Sequence, residues 1–106
     1  MNKYIFSMEN AIKEFLYRVQ DNDTLMSVST KFEIPFTEII SLNNLSSEIE
    51  VGDVLLLSYG KGKYYKVELK ETAKSIAEKF GIEEQKLLAV NKIDYVFYGL
   101  TLLIPQ

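Results

Sequence analysis

This chain repeats itself, and the repeat constrains its fold more than any other feature. Tyr17-Arg18-Val19 recurs as Tyr65-Lys66-Val67, 48 positions on. At that same offset Thr24 meets Thr72, Val28 meets Ile76, Phe32 meets Phe80 and Ile34 meets Ile82. Ile39-Ile40 then meets Leu87-Leu88, and Asn43 meets Asn91. Gly52 pairs with Gly99 at an offset of 47, so the second copy is one residue shorter between Asn91 and Gly99. Both copies close alike, with Leu55-x-Leu57 against Leu102-x-Ile104. A period of this size signals one supersecondary unit built twice. A chain of 106 residues has room for one ordinary domain or two very small ones.

Each copy has the same grammar. An alternating run (Phe15, Tyr17, Val19; then Tyr65, Val67, Leu69) predicts a half-buried strand. A polar turn follows, ending in Asp23-Thr24 or Glu71-Thr72, residue types that cap a helix and complement its positive end. Leu25, Val28 and Phe32, like Ala73, Ile76 and Phe80, form one apolar helical face, with Phe32 and Phe80 expected as equivalent core residues. Gly81 suits a left-handed helix stop; Glu33 stands there in the first copy, where the turn must differ or carry strain. Pro35 marks the start of a second helix, whose buried side is Ile39, Ile40 and Leu42, with Leu87, Leu88 and Val90 as counterparts. A glycine then introduces the closing strand. The expected fold is therefore α+β: two tandem strand-helix-helix-strand modules, each a two-stranded antiparallel sheet packed on two helices. The division is 1–14 as an N-terminal extension, in which Met8, Ala11 and Ile12 line one helical face with Phe15, 15–58 as the first module, 59–64 as a flexible linker and 65–106 as the second module.

Composition narrows the function. Hydrophobic residues make up 47% and charged residues 25%, as in a soluble, folded protein. The chain has no cysteine and no histidine, which removes the thiolate nucleophile, the usual general base near neutral pH and the commonest transition-metal ligands. The carboxylate pairs Asp21 with Asp23 and Glu83 with Glu84 lack the spacing of a calcium loop and read as solvated faces. Neither an enzyme nor a metal or cofactor site is expected. A net charge of −3 without a basic run disfavours nucleic acid. No segment reaches the roughly 18 apolar residues of a membrane span, and the N-terminal stretch lacks the apolar region of a signal peptide.

Taken in order, these residues resemble the LysM family, whose modules have the βααβ fold. Its pattern is met by Tyr17-x-Val19, Asn22-Asp23-Thr24-Leu25, Phe32, Ile39, Asn43, Gly52 and Leu55-x-Leu57. It is met again by Tyr65-x-Val67, Lys70-Glu71-Thr72-Ala73, Phe80, Leu87, Asn91, Gly99 and Leu102-x-Ile104-Pro105. The resemblance covers roughly residues 15 to 106. It implies non-catalytic binding of N-acetylglucosamine-containing glycan, such as peptidoglycan or chitin, in a groove between the strand-to-helix loop and the loop before the last strand. Carried over, the first groove uses Asn22, Asp23, Thr24 and Leu25 opposite Ser47, Glu48, Ile49 and Glu50. The second uses Lys70, Glu71, Thr72 and Ala73 opposite Asp94, Tyr95, Val96 and Phe97. The implied setting is the cell wall, or a spore or particle, of a bacterium.

Two departures refine this. The family's glycine before Asp-Thr is Asn22 in one copy and Lys70 in the other. If the position needs φ > 0, asparagine adopts it at modest cost while lysine costs on the order of 1 kcal/mol, so the second loop is expected to be remodelled and binding to rest mainly on the first unit. Around the first groove, Asp21, Asp23, Glu48, Glu50 and Asp53 gather carboxylates that repel a carboxylated glycan. An alternative function fits these departures: an assembly or adaptor protein using the fold to grip a protein partner, as in a spore coat or a phage-tail-like particle. Tyr95, Phe97 and Tyr98 suit stacking on a sugar or partner as well as packing, and Asn43 and Asn91 suit loop backbone better than ligand.

Overall fold

The computed structural model describes residues 13–59 and 62–105. The first repeat runs β1 (Lys13–Arg18), α1 (Leu25–Phe32), α2 (Phe36–Asn43), β2 (Val54–Tyr59). The second runs β3 (Lys63–Lys66), α3 (Ala73–Phe80), α4 (Glu84–Asn91), β4 (Thr101–Ile104). The strands pair antiparallel within each repeat, β1 with β2 and β3 with β4. In register, Phe15 faces Leu57 and Tyr17 faces Leu55, while Tyr65 faces Leu102 and Lys63 faces Ile104. This is the expected α+β arrangement, two βααβ modules. β2 runs on to Tyr59 and β3 begins at Lys63, so strand takes up both ends of the segment assigned to the linker. The helical face expected of Met8, Ala11 and Ile12 lies outside the described residues.

Each module has its own core. Val19, Val28, Ile34, Ile39, Ile49, Leu55 and Leu57 form the first. Val67, Ile76, Ala77, Leu87, Leu100, Leu102 and Ile104 form the second. Phe32 and Phe80 are half-buried at the edge of these cores rather than inside them. Phe32 lies edge-on to Phe15 (5.3 Å) and Tyr17 (5.0 Å), and Phe80 edge-on to Tyr65 (5.2 Å). Of the expected buried sides of the second helices, Ile39 and Leu87 are buried and Ile40, Leu42, Leu88 and Val90 are half-buried. Leu69 departs from its expected place and stays 69% exposed, because the strand alternation ends at Val67 and the chain turns, the Glu71 N–H donating to the Glu68 carbonyl at 3.2 Å.

Local chemistry sets the helix limits. Thr24 and Thr72 are N-caps in reciprocal boxes with Ser27 and Ser75, each threonine oxygen accepting the serine N–H and each serine oxygen the threonine N–H. The acids beside them do a different job. Asp23 accepts from the Gln20 N–H at 2.8 Å and the Tyr17 hydroxyl; Glu71 accepts from the Glu68 N–H at 2.8 Å and the Tyr65 hydroxyl. Lys79 completes the second set, 2.9 Å from Glu71 and 2.6 Å from the Tyr65 oxygen, and Lys31 is its looser counterpart, 3.5 Å from the Tyr17 oxygen. Strand, turn and first helix are thereby tied at one point. Glu33 adopts the same left-handed stop as Gly81, with φ of 56° against 69°. The turn does not differ; the glutamate bears the strain.

The modules touch. Met26 and Phe36 pack against the second core, the Tyr64 hydroxyl donates to the Glu38 carboxylate, and Lys66 lies 3.6 Å from Glu33.

The amides of Asn43 and Asn91 join the second helix of each module to its closing strand. Asn91, buried, donates to the Leu87 and Leu103 carbonyls, both at 2.9 Å, and accepts from the Leu103 N–H at 2.7 Å. Asn91→Ala leaves these groups unpaired and should cost about 2–4 kcal/mol, read as a fall in the urea midpoint. The acid of the second tie supplies a pH signature. The Glu68 N–H, then Lys79 and Tyr65, lower the Glu71 carboxyl from its ordinary 4.5 to about 2. Because the folded value is the lower one, the contribution is present above pH 4.5 and is lost as pH falls toward about 2. Urea midpoints measured across that window should fall with pH, and less steeply in Glu71→Gln.

Candidate functional site

The loop after β1 and the loop before β2 meet at the N-terminus of α1, and the second module repeats the arrangement at α3. Asn22 and Lys70 hold nearly the same backbone conformation, φ 70° and 69°. The expected remodelling of the second loop is therefore absent. Closure by Asp23 or Glu71 fixes each turn, and the lysine bears the left-handed strain that the asparagine tolerates better.

In the first module the structure joins the two loops directly. The Glu48 carboxylate Oε1 accepts from the Leu25 N–H at 2.8 Å and from the Ile49 N–H at 2.9 Å. A cleft of about 320 Å³ beside this contact is walled by Leu25, Ile40, Leu45, Ser46, Ser47 and Glu48. Leu25 and Ile49 also contribute to the core, and Thr24 is committed to its cap. Asn22, Ser47 and Glu50 are exposed. The carboxylate cluster read from the sequence is in large part internal bonding: Asp23 accepts from Gln20, Glu48 from Leu25 and Ile49, and Asp53 from the Glu50 N–H at 2.9 Å. The Tyr17 hydroxyl first and the Gln20 N–H second hold the Asp23 carboxyl below its ordinary value.

In the second module Glu71, Thr72, Ala73, Glu84, Asp94, Tyr95 and Val96 wall a cleft of about 250 Å³. Tyr95 is 70% and Phe97 40% exposed, their rings tilted at 6.4 Å. Phe97 stands next to Tyr95 but outside the cleft walls. Glu84 was missed from the sequence, where it reads only as half of an acidic pair. Lys31 and Lys79 were missed too, although their own offset of 48 places them in the repeat with Tyr17 and Tyr65. A further hollow of about 230 Å³, walled by residues of α2 and β2 including Ile39, Leu42 and Leu56, holds none of the residues assigned to either groove from the sequence.

The LysM domain family matches residues 17–58 and again 65–105. Over 93 residues the chain is 29% identical to the N-acetylmuramoyl-L-alanine amidase sle1 of Staphylococcus saprophyticus, covering 77% of this chain and 28% of that one. Among solved structures it is similar to the spore cortex-lytic enzymes SleL of Bacillus cereus (22% identity, TM-score 0.42, covering 88% of this chain and 23% of that one) and of Bacillus megaterium (25%, 0.43, 85% and 22%). The chain thus spans only about a quarter of the length of these relatives. With both repeats matched and both folded as βααβ, the chain belongs to the LysM domain family, as two modules in tandem.

Proposed function

We propose that this chain is a non-catalytic binding unit for an N-acetylglucosamine-containing glycan, peptidoglycan or chitin-like, held at a bacterial cell wall or spore cortex. LysM domains bind such glycans, peptidoglycan among them. The observation that carries the reading is the meeting of two loops at a helix N-terminus in both modules, beside clefts of about 320 and 250 Å³. In the second module such a place leaves backbone N–H groups for acetamido and hydroxyl oxygens, and in either module Leu25 or Tyr95 gives an apolar surface to a pyranose face. The residues proposed to make up the glycan grooves are Asn22, Asp23, Thr24, Leu25, Ser47, Glu48, Ile49 and Glu50 in one and Glu71, Thr72, Tyr95 and Phe97 in the other. Asp23 and Glu71 act through the turns they close. The relatives named for amidase and cortex-lytic activity are far longer, and the glycan-holding role is proposed for this chain alone.

The chain should sediment with insoluble peptidoglycan or chitin, stay in solution with cellulose, and release no soluble sugar from any of them. Failure to sediment with either N-acetylated polymer would replace this reading with the adaptor one, in which the same fold grips a protein.

A further inference from the structure

We infer that the Glu48 carboxylate occupies the donor groups of the first groove, so that the second groove, beside Tyr95, is the one that takes a neutral N-acetylated glycan; this rests on the function proposed above. One Glu48 oxygen holds two N–H groups from opposite walls, 2.8 Å from Leu25 at the start of α1 and 2.9 Å from Ile49 in the loop before β2. Hydrogen bonds to an ionised acceptor are roughly twice as strong as neutral ones, and a helix N-terminus favours an anion. An acetamido carbonyl or sugar hydroxyl, being neutral, must displace that carboxylate to reach the same donors.

The second module lacks the device. The Leu100 N–H donates to the Phe97 carbonyl as Asp53 does to Glu50, which aligns Tyr95 with Glu48 and Val96 with Ile49. A tyrosine carries no carboxylate, and among the described residues no side chain accepts from the Ala73 or Val96 N–H. Tyr95 instead points a largely exposed ring to solvent at the cleft, with Phe97 at 6.4 Å. Free donors beside an exposed aromatic suit a pyranose ring bearing an acetamido group. The groove ranked first on sequence is thus the occupied one, and the reason is a side chain outside the loop on which that ranking rested.

The test is a titration of the full ¹⁵N-labelled chain with N-acetylchitotetraose, followed by amide NMR. Ala73, Tyr95 and Val96 should shift first, with Leu25 and Ile49 responding only at about tenfold higher concentration or more. In Glu48→Ala the Leu25 and Ile49 signals should join the early set, and in Tyr95→Ala the second groove should weaken while Leu25 and Ile49 are unmoved. Hydrogen exchange without glycan reads the contact separately: Leu25 and Ile49 amides should exchange slowly in the wild type and faster in Glu48→Ala, with second-module amides unchanged as a control for folding. Fast exchange at both amides in the wild type overturns the inference, as does simultaneous shifting of both grooves. Slow exchange with no shift anywhere at millimolar glycan would leave the Glu48 contact standing and remove the glycan reading, and with it the assignment of the second groove.

Discussion

Each module depends on one asparagine amide. A two-stranded sheet is marginal alone and gains stability only when a helix layer is fastened to it. Asn43 and Asn91 provide the fastening, each bonding a carbonyl one turn back in its own helix and both backbone groups of one closing-strand residue, Leu56 or Leu103. The amide thus satisfies edge groups of the strand that would otherwise face apolar surroundings. With α2 or α4 so placed, Ile39 and Leu87 are aligned over the sheet and the loop before the closing strand has a defined start.

The repeat makes much of this legible in the sequence alone. Two copies agreeing at Tyr17 and Tyr65, Thr24 and Thr72, Asn43 and Asn91 gave strand, cap and helix end in order, because those residues answer to local geometry. What escaped was less local. Asn43 and Asn91 bond a strand 13 or 12 residues away, not loop backbone. Asp23 and Glu71 close a turn while the neighbouring threonine caps the helix, a division of labour that two adjacent polar letters do not reveal. Leu69 looked like a third strand position because alternation carries no mark of where a strand stops.

The candidate site was legible in outline and misread in two details. Glycine loss suggested a damaged second loop, yet Lys70 and Asn22 share one conformation, since the acid-closed turn dictates φ and the residue complies. Propensity was overruled by a bond two residues around the corner. Conversely, Glu48 counted as a groove residue and one more negative charge, whereas its geometry commits it to two backbone donors. Charge in a sequence says little until its acceptor atoms have addresses.

Glu33 sits in a backbone conformation that Gly81 occupies without strain, and its side chain reaches Lys66 of the other module. A glycine there would relax the first module and sever a link to the second. Comfort within one unit and contact between two are therefore set against each other at a single position. The pair cannot be treated as two beads whose stabilities simply add. Lengthening the segment between the modules, or grafting one of them into another chain, changes what Glu33 is for and leaves its strain behind without the contact that accompanied it.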